Sequence, residues 1–234
     1  MPSSHYSLYH YPLDPASRRV RLLMGEKKVN FTSTIEKPWD PSPDYYMISP
    51  AGDVPALKVD SRIEEGDIKT YYLCGSTPIC EYIEETIKGL SLLGNSPEEN
   101  AEIRRLVHWF EYKMYIECTT LIVGEKAYKR LQGTGEPNSA MLRAGYHNIN
   151  GHLSYIAWLI ERRNWLAGED ITLADLTAAA QLSVIDYLSD VPWDKHPIAK
   201  EWYARIKSRP SFRPLLGDHI AGLKPAKHYA NLDF

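Results

Sequence analysis

Gly52-Asp53-Val54-Pro55-Ala56-Leu57-Lys58-Val59-Asp60, followed by Tyr71-Tyr72-Leu73-Cys74-Gly75-Ser76-Thr77-Pro78-Ile79, is the stretch on which the fold turns. Its first half reads as a strand over 55–60 entered through a Val-Pro bond. Pro55 stands at the strand's first residue, where a missing N–H costs least. The ring behind it pushes Val54 toward extended geometry. The second half is another strand, over 68–73, that runs into a helix opening at Ser76 or Thr77, with Pro78 in its first turn. Residues 61–67 between the two strands are acidic and read as an exposed hairpin loop.

Upstream, Tyr6 to Tyr11 reads as a strand ended by Pro12-Leu13-Asp14-Pro15. Asp14 is placed to cap a helix with Pro15 at its first position. Ala16, Val20, Leu23 and Met24 form that helix's apolar stripe, with Arg18, Arg19 and Arg21 expected mostly outside it. Val29 to Ile35 reads as a strand. Residues 36–50 hold Pro38, Pro41, Pro43 and Pro50 and read as a rigid loop that displays Trp39. Downstream, Ile79, Tyr82, Ile83, Thr86 and Ile87 share one helix face. Strand-helix-strand followed by strand-strand-helix predicts a four-stranded thioredoxin-like layer over residues 1–88.

Gly89 to Asn95 is a linker, and residues 96–216 read as all-helical. Pro97 opens a long helix with Ile103, Leu106, Val107, Phe110, Met114, Cys118 and Leu121 inward, broken at Gly133-Thr134-Gly135-Glu136-Pro137. Leu142, Tyr146, Ile149, Leu153, Ile156 and Ile160 predict a second helix. Thr172 and Asp175 have the spacing of a capping box, flanked by Ile171 and Leu176 as a hydrophobic staple. The helix they start, with Leu176, Ala180, Val184 and Tyr187 inward, is expected to be the central one. Another helix holds Ile198, Trp202 and Ile206. Residues 217–234 form a tail of no clear period.

Composition bounds the function. A formal net charge of −3 argues against a dedicated nucleic-acid binder. Cys74, Cys80 and Cys118 are odd in number and lack CxxC or metal-site spacing, so they read as buried free thiols in a reducing compartment. No apolar run approaches the ~20 residues that span a bilayer. The N-terminus lacks the pattern of a signal peptide, so the expectation is a cytoplasmic protein without membrane insertion. Tyr and Trp outnumber Phe, 16 and 6 against 4; rings with a polar edge suit a partner surface. No histidine cluster has metal-ligand spacing. His108 lies near Glu111, and His147 and His152, five apart, share no helix face well.

Asp53-Val54-Pro55-Ala56-Leu57 resembles the cis-proline motif of the glutathione S-transferase superfamily. Leu73 to Ile83 resembles that family's Glu-Ser-x-Ala-Ile-x-x-Tyr-Leu motif, and the Thr172–Asp175 box resembles its capping box. The resemblance covers about residues 5–216. It implies the GST fold, an α+β thioredoxin-like N-terminal domain followed by an all-α C-terminal domain. It also implies where glutathione would sit: Asp14, Ser17, Val54, Pro55, Gly75 and Ser76. Two of these positions depart from the family. Gly75 replaces the Glu that grips the γ-glutamyl end, and Asp14 stands near the usual serine. A carboxylate about 5 Å from a thiolate, at an effective dielectric near 20, repels it by roughly 3 kcal/mol. Asp14 is better explained as a cap. Tyr9, Tyr11 or Ser17 could still supply a hydroxyl. No catalytic residue is assigned, and glutathione is expected to bind weakly or not at all.

Two features exceed what the fold needs. One is Trp39. The other is the end of the chain, where Leu223, Lys224, Lys227, His228, Tyr229, Leu232, Asp233 and Phe234 alternate charge with apolar anchors, the pattern of a partner-binding segment. The degraded site, the loop and the tail together resemble the FtsZ-binding, GST-like cell-division proteins of the FzlA type. That resemblance implies a cytoplasmic homodimer, recruited to the division site, that binds FtsZ filaments and regulates them. The other readings are an active glutathione transferase or isomerase of a zeta- or beta-like type, and a structural GST-fold subunit of another complex.

Overall fold

The computed structural model describes residues 4–62 and 67–232, and the chain divides into two compact units, 1–90 and 91–234. In the first unit, β1 (Ser4–His10), α1 (Pro15–Glu26), β2 (Thr32–Ile35), α2 (Pro43–Tyr46), β3 (Ala56–Arg62), β4 (Ile68–Cys74) and α3 (Ser76–Thr86) follow in order. The sheet runs β2-β1-β3-β4. β1 pairs parallel with β2, Leu8 beside Ser33; β3 pairs antiparallel with both β1 and β4, so Leu57 lies between Leu8 and Leu73. This is the thioredoxin-like layer the alternation of strands and helices calls for. Tyr6, Leu8 and His10 are the buried alternates of β1, and Val20, Leu22, Leu23, Ile79 and Ile83 complete the core with no exposed surface.

Local details depart from expectation. Val29 to Phe31 are not strand: the Val29 N–H bonds back to the Met24 carbonyl, which closes the end of α1, and β2 starts only at Thr32. Arg18 and Arg19 are buried rather than solvated. Arg18 Nε donates to the Pro12 carbonyl at 2.6 Å, and Arg19 Nη1 reaches Thr77 Oγ1 at 3.2 Å. Each guanidinium thus finds at least one acceptor inside the fold, which lowers the cost of enclosing it. Cys80 and Cys118 are buried, but Cys74 is exposed because it ends the edge strand β4.

The second unit is helical: α4 (Pro97–His108), a π-wound run Trp109–Tyr128, α5 (Lys129–Gln132), α6 (Ser139–Ile160), α7 (Leu173–Tyr187), a 3₁₀ turn Trp193–Lys195, α8 (Pro197–Lys207) and α9 (Arg213–Leu216). The run from Pro97 is continuous to Gln132 and ends at Gly133, whose φ of +67° is the left-handed stop that glycine allows. On α6, Ile149, Leu153 and Ile156 face inward as expected, but Tyr146 does not; its hydroxyl donates to Asp190 Oδ1 at 3.0 Å. Every residue of α7 is buried. Its capping box is present. The Asp175 carboxylate also accepts from Leu166 N and Trp202 Nε1, each at 3.0 Å.

Candidate functional site

The expected glutathione-site residues come from three element starts in the first unit: the head of α1, the entry to β3 and the head of α3. Asp14 precedes α1 in extended geometry, and its Oδ2 accepts from Ser17 N at 2.6 Å. Burial pushes its carboxyl up to about 6, against the lowering effects of the Ser17 and Ala16 amides and the Arg18 charge. The carboxylate thus occupies the helix N-terminus itself, where an exogenous anion would otherwise be favoured. Ser17 is fully buried, and its Oγ accepts from Tyr11 N at 3.3 Å. Its hydroxyl belongs to the turn before α1 and is not presented for chemistry.

Val54-Pro55 is a cis peptide, and the Pro55 carbonyl accepts from Gly75 N at 2.9 Å. Gly75 itself, at φ +86° and ψ 148°, is the N-cap of α3 and gives it no side-chain cap. An added Cβ would have room, its nearest neighbour being Pro78 at 3.6 Å, but that backbone region is essentially glycine's. Neither Ser76 nor Thr77 is the cap: α3 begins at Ser76, two residues earlier than a Thr77 cap requires. Ser76 is buried, with its Oγ 3.5 Å from Arg19 Nη1. Asp14 and Arg19 thus place charges of the chain's own at the heads of α1 and α3. Besides backbone, exposed Thr77 and half-buried Tyr9 and Trp39 retain accessible surface, the Trp39 ring meeting Tyr11 edge-on at 4.9 Å.

The tail is docked along the second unit rather than free of it. Ala226 N donates to the Tyr187 carbonyl at 2.9 Å, and Tyr187 Oη to the Leu223 carbonyl at 3.4 Å. Tyr229, expected to face a partner, is 1% exposed. Its ring meets Tyr187 edge-on at 5.2 Å, and its hydroxyl donates to the Leu215 carbonyl at 3.3 Å. A ring with these neighbours is an anchor of the tail, not a contact offered outward. His228 Nε2 lies 3.0 Å from Oδ1 of the buried Asp186, which fits a proton on Nε2. The same carboxylate takes Trp193 Nε1 at 2.8 Å and faces Lys207 Nζ at 3.6 Å. Burial holds the Lys207 ammonium below the usual lysine range, against the pull of Asp186. Lys224, Lys227 and Leu232 remain exposed and Leu223 is half-buried, while Asp233 and Phe234 lie outside the described residues.

One cavity escapes sequence reasoning. A space of about 810 Å³ in the second unit is lined by Trp109, Lys113, Glu117, His147, His152 and Tyr155 among others. His147 and His152 therefore do meet a common space. Trp109 Nε1 donates to His152 Nδ1 at 3.1 Å, so the proton on Nε2 faces Glu117 at 3.0 Å, and Lys113 pairs with Glu117. Burial keeps His152 below the ordinary histidine range. The pattern is that of a neutral, structurally engaged imidazole. Among the described residues, no group of three or more His, Cys, Asp or Glu could hold a metal ion, and no helix is long and apolar enough to cross a membrane.

Comparison with known proteins fits this geometry. The glutathione S-transferase N-terminal domain model matches residues 15–86, and the C-terminal domain model matches residues 134–210. FtsZ-localized protein A of Caulobacter vibrioides is 45% identical over 228 residues, 97% of this chain and 98% of that protein. The structure of FzlA from C. crescentus superposes with a TM-score of 0.92 at 44% identity, covering 98% of this chain and all of that one. A glutathione S-transferase structure from Rhodospirillum rubrum gives 0.90 at 47%, again over 98% of this chain and all of that one. The chain belongs to the glutathione S-transferase superfamily and, within it, is similar to FtsZ-localized protein A along nearly its whole length.

Proposed function

We propose that this chain is a non-catalytic, homodimeric GST-fold protein that binds FtsZ and regulates its filaments at the division site. The observation that carries the reading is the 45% identity to FtsZ-localized protein A across 97% of the chain. The first unit supports it. A thiolate-stabilising site needs a donor at the head of α1 and an unoccupied helix N-terminus. Here Asp14 fills the terminus with its own charge, and Ser17 Oγ is enclosed against the Tyr11 amide. Exposed Lys224, Lys227 and Leu232, with Trp39 of the first unit, are the partner-facing side chains of this reading. Two copies related by a two-fold axis could each engage a filament, and avidity of ~100-fold or more follows when both engage.

Co-sedimentation of the full chain with FtsZ polymer tests the reading, paired with glutathione calorimetry. Saturable pelleting without saturable glutathione heat is expected. A chain that stays in the supernatant at every polymer concentration refutes it. A second reading, a glutathione transferase, is favoured by the 47% identity to the Rhodospirillum rubrum protein. Turnover of a standard electrophile that Tyr9→Phe abolishes would establish it; the half-buried Tyr9 is a better candidate than Ser17.

A further inference from the structure

We infer that a basic cavity walled by the C-terminal tail receives a carboxylate-rich segment of the polypeptide partner, an inference that rests on the FtsZ-binding reading above. The cavity, about 620 Å³, lies between Lys126 and Arg130 of the long helical run, Tyr187 at the end of α7, and Leu223, Lys224 and Ala226 of the tail. Its cations are not equivalent. Lys126 donates to both oxygens of Asp190, at 2.8 and 2.6 Å, so its charge is answered within the chain. Arg130 and Lys224 are exposed, and neither has an acidic partner among the described residues. They reach the same space from elements far apart in sequence. A guanidinium grips a carboxylate through two parallel N–H donors, and an ammonium adds a mobile point charge.

The shape favours a polypeptide over a lone ion. Arg130 and Lys126 also line an adjoining cavity of about 590 Å³, so the groove continues past the first pocket; there Lys129 is paired with Glu125 and Glu136 is exposed, which leaves Arg130 as the cation that faces both spaces without an acidic partner among the described residues. Half-buried Leu223 gives the first pocket apolar wall, which suits side chains flanking a carboxylate. In the other direction the tail leads on to exposed Lys227 and Leu232. The wall is also built in advance. Ala226 N, Tyr187 Oη and Leu223 N are committed to Tyr187, Leu223 and Ile220 carbonyls, and Tyr229 locks the segment beyond. A partner therefore meets an ordered rim and is spared the cost of ordering it.

The test is co-sedimentation of the full chain with FtsZ polymer over a range of salt concentrations. Wild type, Arg130→Glu, Lys224→Glu and the double variant are compared, with exposed Lys69→Glu on β4 as a control for total charge. Each single reversal should weaken binding about fivefold and the double variant tenfold or more, with a flatter salt dependence. Lys69→Glu should bind as wild type, Arg130→Lys should recover part of the Arg130→Glu loss, and thermal melts should match throughout. If wild type pellets and the double variant binds within about twofold of it, the cavity's role is overturned and the FtsZ reading stands. If wild type itself does not pellet, both fall.

Discussion

Replacing Tyr229 by alanine should free the tail without unfolding the helical unit. Burying the ring contributes about 2–3 kcal/mol. Its edge-on contact with Tyr187, at 5.2 Å, adds about 1 kcal/mol. The hydroxyl's bond to the Leu215 carbonyl adds about 1 kcal/mol more. The sum, about 4–5 kcal/mol, falls in the range found when buried aromatic rings are cut to alanine. Some of it returns as the tail regains conformational freedom. The remaining docking contacts described are polar ones: His228 on Asp186, Tyr187 on Leu223, and the Ala226 amide on the Tyr187 carbonyl. Hydrogen exchange at the Ala226 amide reads the docked fraction directly. A net loss of about 3 kcal/mol should speed it by ~100-fold, while α7 amides keep their protection. Tyr229→Phe, which keeps the ring, should cost no more than about tenfold. Ala226 exchange within about threefold of wild type in Tyr229→Ala would refute the anchoring role.

Other outcomes follow from the same geometry. Asp175→Ala strands the buried donors of Leu166, Thr172 and Trp202, and should lower stability to urea by about 3–5 kcal/mol, read by tryptophan fluorescence; a loss under about 1 kcal/mol would contradict it. Asp14 titrates near 6 in the folded chain, above its ordinary carboxylate value. Its stability contribution is therefore fully present below that ordinary value and lost as pH rises through about 6. Asp14→Asn keeps a capping oxygen and removes the titration, so the stability difference between wild type and variant should shift across that interval; a flat difference would count against the buried carboxyl. Gly75→Ala should destabilise the first unit by about 1–2 kcal/mol through its positive φ, measured by denaturant midpoint; an unchanged midpoint would mean that the backbone relaxes there.

Features written in a few adjacent residues are legible in the sequence. Val54-Pro55, the Asp14 cap ahead of Pro15 and the Thr172–Asp175 box are each short-range chemistry, and the structure holds them as read. Those settled by distant partners are not. Helical periodicity places Arg18 and Arg19 outside because it knows nothing of the Pro12 carbonyl or of Thr77, 58 residues away from Arg19. Tyr229 reads as an outward anchor because it follows Lys227 and His228 in a stretch that alternates basic with apolar residues. Its neighbours in space are Tyr187, Leu215 and Lys207. Tyr146 is drawn outward by Asp190, 44 residues on. The basic cavity beside the tail is likewise invisible along the chain, since Arg130 and Lys224 become neighbours only through the fold.

The wholly enclosed α7 has a mechanical consequence. A helix without a surface cannot hand a load to solvent or to a hinge; whatever is fastened to it pulls on the whole interior. Its first turn is held by Asp175, and its last carries Asp186 and Tyr187, the two residues to which the tail is tied. Tension applied at the tail would therefore run along an axle clamped at both ends. A pull applied there would move the helical unit as one piece.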